Sequence, residues 1–311
     1  GDNAQWQVRS SAFDIAPMAA WGERLPIPDA WRDHLSDLQP RGQVTGLEVG
    51  YRQGGWQARA ALENFEVSPW GEVPGGGPMD AWIVMNDGAG RVVFSGTQGM
   101  TLAFPEIFAA PLSLDHANGA VDWRWNEQAL TVSGESLTLA WRDATVEGGF
   151  RYTDPGKAPS ALDLQLDMQD INAIDTPLLD WLPVKVLDNE LLDWLGSGIA
   201  GHVPHAKLRL RQRFDDREDS ADHQLQLELR VEEGRLPYDP SWPALERISG
   251  LLKIDDETLS ATIEHAETQG LVSEGAKVAL VDDWLSVEGP VRGSSQALLD
   301  FLSTSPIEGL D

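Results

Sequence analysis

The sequence predicts an all-β fold: an elongated, twisted antiparallel sheet with a few short helices. Two observations predict it. Most of the chain alternates apolar and polar residues with period two, and the alternating stretches are separated by turn dipeptides at hairpin spacing. No helix of the βαβ type lies between them, so the strands read as an antiparallel meander.

In "AVDWRWNEQALTVSGESLTLAWRD", Val121, Trp123 and Trp125, then Leu130 and Val132, then Leu137, Leu139 and Trp141 each keep one parity, which reads as three short strands with one apolar face. The same period recurs at Leu162, Leu164 and Leu166, at Leu208 and Leu210, at Leu225, Leu227, Leu229 and Val231, and at Leu259, Ala261 and Ile263. Gly54-Gly55, Asp87-Gly88, Asn118-Gly119, Glu233-Gly234 and Asp255-Asp256 read as the hairpin turns.

Two tryptophan-rich segments break the alternation and read as helical plugs. In "LLDWLPVKVLDNELLDWLGSG", Thr176-Pro177 reads as N-cap and first-turn proline, and Asp188 or Asn189 caps a second turn. Leu191, Leu192, Trp194 and Leu195 then form a stripe that Gly196 and Gly198 end, with Trp181 on the first turn. In "MAAWGERLPIPDAWRDHLSDLQPRG", Trp31, Leu35 and Leu38 form the stripe, with Trp21 upstream. A third helix is expected over 294–303, where Ser294 or Ser295 caps Leu298, Leu299, Phe301 and Leu302. Helices this short and apolar need a sheet to lie on.

The 311 residues carry 23 Lys and Arg against 50 Asp and Glu, a formal charge of −27. That charge opposes phosphate backbones, so nucleic acid is not an expected partner. The acids are spread along the chain except at "DDRED" 215–219, which reads as a solvated face because a calcium loop needs ordered ligand spacing and a turn glycine. The absence of cysteine fits an oxidising compartment. No apolar run is long enough to span a bilayer as a helix. The start at Gly1, without Met or a leader, reads as a fragment of a longer protein.

The chain also repeats itself. Leu25-Pro26 aligns with Leu182-Pro183, which sets Trp31 near Trp194 and Gly42-x-Val44 on Gly201-x-Val203. Downstream, "FEVSPWGEVPGGGPMDAWIVMNDGAGRVVFSG" and "LPYDPSWPALERISGLLKIDDETLSATIEH" share a Pro-rich tryptophan corner, at Trp70 and Trp242, followed by a hairpin. Two units are expected, 1–160 and 161–311, each a plug, strands, a corner and more strands.

The plug "LLDWLPVKVLDNELLDWLGSGIAGHV", the corner "YDPSWPALERISGLLKIDDETL" and the segments "SVEGPVRGSSQALLDFLSTSP" and "PWGEVPGGGPMDAWI" resemble the repeating segments of the AsmA-like YhdP family of Gram-negative bacteria. The resemblance implies a long periplasmic protein anchored in the inner membrane by an N-terminal helix absent from this sequence. It also implies a sheet curled into an apolar groove that carries phospholipid between inner and outer membranes, with an unknown partner at the outer-membrane end. It supplies no catalytic residues and no cofactor, so no enzyme is expected.

Physics supports a shielded path. Exposing an acyl chain to water costs about 0.8 kcal/mol per methylene, roughly 11 kcal/mol for about 14 of them. Strands of about seven residues span roughly 23 Å, more than the ~15 Å of one leaflet's hydrocarbon. Alternation alone does not separate a groove from a filled sandwich, since both need one apolar face. By parity, the groove positions are Val121, Trp123, Trp125, Leu137, Leu139, Trp141, Leu162, Leu164, Leu166, Leu208, Leu210, Leu225, Leu227, Leu229, Leu259 and Ile263.

Other sites read as bland. His202-x-x-His205 lacks a third ligand, and its rings are expected on opposite faces, so no metal is assigned. "GGG" at 75–77 sits between prolines and reads as a loop. Trp82 and Trp284 lie on strands, and the corner tryptophans read as packing under turns. Two rival functions fit the same pattern: a structural or assembly factor for the outer membrane with a filled sandwich, or a carbohydrate-binding β-protein using surface tryptophans.

Overall fold

A computed structural model describes residues 5–19, 37, 39–52, 55–70, 73–97, 99–126, 129–214, 223–282 and 284–306. The fold is all-β with short helices. Residues 20–36 and 38, which hold Trp21, Trp31, Leu35 and Leu38 of the first plug, lie outside the described residues. The chain forms two compact units: Gly1–Leu164 with Gln212–Asp222, and Gln165–Arg211 with His223–Asp311.

In the first unit, β1 (Trp6–Ser10) and β2 (Phe13–Asp14) pair with β3 (Arg41–Arg52), and Asp14 accepts from the first amide of the short helix α1 (Ala16–Ala19). The meander continues through β4 (Gly55–Val67) and β5 (Gly75–Asn86). Next comes an interrupted strand made of β6 (Ala89–Gly96) and β7 (Met100–Ala103), then β8 (Leu112–Asn126), β9 (Ala129–Trp141) and β10 (Ala144–Asp154). Every described pairing is antiparallel.

The strands are longer than expected. The stretch 121–141 is not three short strands but part of two, β8 with 15 residues and β9 with 13. The parity change between Val132 and Leu137 is a bulge inside β9, where Ser136 takes φ 56° and the register slips against both neighbours. Asn118-Gly119 and Glu233-Gly234 likewise lie within strands rather than at turns. Asp87-Gly88 and Asp255-Asp256 do sit at hairpin turns.

Such bulges recur in other strands and crease the sheet. Gly46 in β3 (φ 62°) and Asn64 in β4 (φ 49°) occupy the same left-handed conformation at register shifts. Each inserts an extra residue, bends its strand and increases the local twist. Buried residues gather in two clusters beside this crease: Val44, Ala60, Leu62 and Ala81 in one, Met100, Leu114 and Ala117 in the other. A bent strand brings side chains from both of its halves together on the concave side, which a straight strand does not do.

The second unit is also built from antiparallel strands. β11 (Ser160–Asn172) enters it and β12 (Ala200–Phe214) leaves it, with the Ala173 amide donating to Gly201 O at 2.9 Å. β13 (His223–Leu236), β14 (Leu245–Asp255) and β15 (Thr258–Thr268) pair in order. β15 is lined by β16 (Leu271–Ser273) and β17 (Ala276–Val281), which pair in turn with β19 (Val291–Arg292) and β18 (Trp284–Glu288). Glu233 in β13 (φ 54°) and Arg247 in β14 (φ 49°) mark the crease.

The second plug is two 3-10 turns, Leu178–Trp181 and Val184–Val186, followed by helix α2 (Asn189–Leu195). Thr176 is not its cap: the N-cap position is taken by Pro177, whose side chain has no acceptor to offer the first amides. Asp188 caps α2 by accepting from the Leu191 amide at 2.8 Å. Asp188→Ala is expected to cost about 1 kcal/mol, read as a lower urea midpoint at unchanged slope. A third helix, α3 (Ser295–Thr304), has Ser294 as its N-cap, accepting from Ala297 N at 3.0 Å.

Gly75–Gly77 is the start of β5, not a loop. Backbone contact explains Gly75, since a Cβ there would lie 2.5 Å from Pro69 N and 2.8 Å from Val67 O.

Candidate functional site

Cross-strand partners share a face of a sheet, so the registers trace the apolar surface directly. In the first unit one row runs Val8, Val49, Ala58, Met85, Gly90, Trp123, Val132, Tyr152 across eight strands. It contains no charged side chain, and at about 4.8 Å per strand it is about 34 Å long. A parallel row runs Ala60, Ile83, Val92, Val121, Gly134, Phe150.

In the second unit three rows lie side by side: Leu227, Ile254, Leu259, Leu280, Leu285; then Leu229, Leu252, Ala261, Val278, Val287; then Val231, Gly250, Ile263, Ala276.

These faces are half open. Every groove position read from the sequence, from Val121 to Ile263, is half-buried, and among the described residues no large side chain falls below 2% exposure. The faces of a filled sandwich interdigitate at crystal-like density and would enclose residues such as Trp123 or Leu229 completely. The positions differ in setting: Leu139 and Trp141 pack on the Met100, Leu114, Ala117 cluster, whereas Leu227 and Leu259 belong to neither cluster. Leu162 and Leu164 lie in the first unit, and Leu166, Leu208 and Leu210 in the second.

The opposite faces are charged and paired. Lys253 meets Glu228 at 2.7 Å, Arg230 meets Glu264 at 2.7 Å, and Arg59 donates to Glu48 at 2.8 Å. The Lys253 ammonium, donating a hydrogen bond to Glu228, holds its carboxyl below the ordinary range. His205 sits 2.9 Å from Asp167 and His202 3.6 Å from Asp170, so each imidazole faces its own carboxylate. Trp82 breaks this polar surface at 43% exposure, in register with Val93, and so lies away from the apolar rows. Trp284, on β18, is the most exposed large apolar residue described.

The second plug is fastened at one end of the second unit's sheet by indole donors. Trp181 Nε1 donates to Asn172 O at 3.2 Å, and Trp194 Nε1 to Tyr238 O at 3.3 Å. Arg235 adds a bond to Gly198 O at 2.8 Å. The stripe expected on α2 is split: Leu192 and Leu195 turn inward, while Leu191 and Trp194 are exposed because the indole reaches sideways to its carbonyl. On α3, Ala297, Phe301 and Leu302 turn inward, and Leu298 and Leu299 face solvent. Trp242 lies between Tyr238 and Phe301 in tilted contacts, with ring centroids 6.2 and 5.8 Å away, so the corner touches both α3 and the residue that accepts from Trp194 of α2.

Burial, then the charge of Asp239, raises the Tyr238 phenol above its ordinary pKa. A raised folded-state pKa stabilises the fold fully below the unfolded value and loses that contribution as pH rises through the folded one. The thermal midpoint is therefore expected to fall above pH ~10, and Tyr238→Phe to flatten that alkaline limb and remove the late component of the phenolate absorbance titration.

The match to known proteins covers this whole arrangement. A family model described as YhdP protein matches residues 1–310. The chain belongs to the YhdP family. It is 20% identical over 320 aligned positions to the intermembrane phospholipid transporter YhdP of Escherichia coli K12, an alignment that covers 97% of this chain and 24% of that protein. The chain thus spans about a quarter of the length of this YhdP relative. No solved structure matches it. Among the described residues, no helix is long and apolar enough to cross a membrane.

Proposed function

We propose that this chain is a periplasmic segment of a longer protein that carries phospholipid between the inner and outer membranes. Acyl chains lie on the apolar rows, the head group stays in water at the open side, and the sheet curls along its crease into a groove. The observation that carries this reading is the uncharged, half-open row of eight residues from Val8 to Tyr152. At about 34 Å it accommodates the ~15 Å of a leaflet's acyl chain at full length. The similarity to an intermembrane phospholipid transporter supports the same cargo.

The wall is formed by Val121, Trp123, Trp125, Leu137, Leu139, Trp141, Leu162, Leu164, Leu166, Leu208, Leu210, Leu225, Leu227, Leu229, Leu259 and Ile263. Units 1–160 and 161–311 are two repeats of one design, and attachment to the inner membrane comes from another part of the longer protein. The conduit needs no cofactor and performs no covalent step: the chain supplies a path, and movement follows gradients or partners.

Native mass spectrometry of the purified chain, followed by lipid extraction, tests this reading. Co-purifying phospholipid, or uptake from vesicles, is the expected result. A clean apo mass with no uptake would overturn it in favour of a structural or assembly role, and binding of polysaccharide without lipid would replace it with a carbohydrate-binding one.

A further inference from the structure

The apolar face of the first unit combines its largest rings with glycines. Gly90 is the register partner of Trp123, and Gly134 that of Phe150. A Cβ on Gly90 would overlap Cε2 and Cζ2 of the Trp123 indole and lie 2.9 Å from Cη2. A Cβ on Gly134 would lie 2.7 Å from Cε1 of Phe150 and 2.9 Å from Cδ1 of Leu137. Each ring therefore lies flat over a neighbouring strand, on the spot a side chain would otherwise fill.

Backbone conformation does not explain these glycines. Neither Gly90 nor Gly134 is among the positive-φ residues, whereas Gly42 and Gly77 are. Nor are they wedged against backbone, as Gly75 is: the atoms nearest to a Cβ at Gly90 and Gly134 all belong to side chains on the apolar face. What the missing methyl groups provide is room for two rings to lie low. With a side chain in either place, the ring must rotate up and out from the sheet.

We propose that Gly90 with Trp123, and Gly134 with Phe150, set the clearance above the apolar face and thereby decide which acyl chains it admits. The proposal rests on the lipid reading above and adds a selectivity to it. A straight chain needs only a narrow track along the rows. A chain kinked by a cis double bond sweeps a wider path and is excluded first when a ring rises. As built, with both rings flat, the face admits kinked chains.

The test offers the 311-residue chain vesicles of dioleoyl phosphatidylcholine and isotope-labelled dielaidoyl phosphatidylcholine in equal amounts. The two lipids share head group and length and differ only in the cis kink. Bound lipid is then counted by mass. The unaltered chain is expected to take up both. Gly90→Ala and Gly134→Ala are expected to shift the bound ratio toward the straight-chain lipid by at least about threefold, a modest figure beside the discrimination of a methylene in an enclosed pocket, because this face is half open.

Trp123→Leu, which removes the ring without adding bulk, is expected to shift the ratio the other way, and it decides the matter if the alanine variants fail to fold. Lipid uptake with one unchanged ratio in every folded variant would overturn the clearance proposal and leave the lipid reading standing. No uptake by the unaltered chain would overturn both.

Discussion

Leu227→Asp is expected to leave the chain folded while lowering bound phospholipid at least about tenfold. Leu227 is half-buried, starts an apolar row continued by Ile254, Leu259, Leu280 and Leu285, and belongs to neither buried cluster. A carboxylate there keeps much of its hydration, so its cost to folding is small, but it places a charge where methylenes must lie, and a charge that loses water to hydrocarbon costs several kcal/mol. Leu139→Asp is the contrasting variant. Leu139 packs on Met100, Leu114 and Ala117, and Ala117 is 0% exposed, so the same change there is expected to unfold the first unit. Circular dichroism melting beside lipid mass analysis separates the two. An unfolded Leu227→Asp, or a folded one with undiminished lipid, would count against these rows as the lipid surface.

A large effect on stability is also expected at Gly77. Its φ is +130°, a conformation open essentially to glycine alone, and a Cβ there would overlap Phe65 O and come within 2.8 Å of Glu66 Cα. Backbone conformation and backbone contact oppose a side chain together, so Gly77→Ala should cost about 3 kcal/mol or more. Gly275 has φ +80° with nothing within 4 Å of its Cβ position, so Gly275→Ala carries only the conformational term, about 1 to 2 kcal/mol. Urea denaturation of the two variants should reproduce that order. Equal midpoints would show that contact at the start of β5 contributes nothing.

Much of this architecture was legible in period-two alternation, because a half-buried strand must separate apolar from polar side chains by parity. The parity of Trp123, Trp125, Leu227 and Leu229 assigned them to the apolar face, and the registers place them there. Strand length was not legible. The change of parity between Val132 and Leu137 looked like a boundary between strands, since an alternation pattern cannot distinguish a turn from a single inserted residue. Asn118-Gly119 and Glu233-Gly234 misled for the same reason: a small residue with a free backbone serves a bulge as readily as a hairpin. Gly90 and Gly134 carried no sequence signal, because the reason for each is a ring on another strand.

The sequence by itself determined that this chain is all-β, that each long strand has one apolar face, that hairpins turn at Asp87-Gly88 and Asp255-Asp256, and where α2 and α3 lie. Those properties follow from local chemistry: the alternation of side chains, the turn dipeptides and the capping side chains of Asp188 and Ser294. Only the tertiary structure decided that the strands run on through bulges, that buried clusters form beside the resulting crease, and that Trp123 and Phe150 lie flat on glycines. These depend on which residues stand opposite each other on neighbouring strands, and no segment of a chain contains its own register.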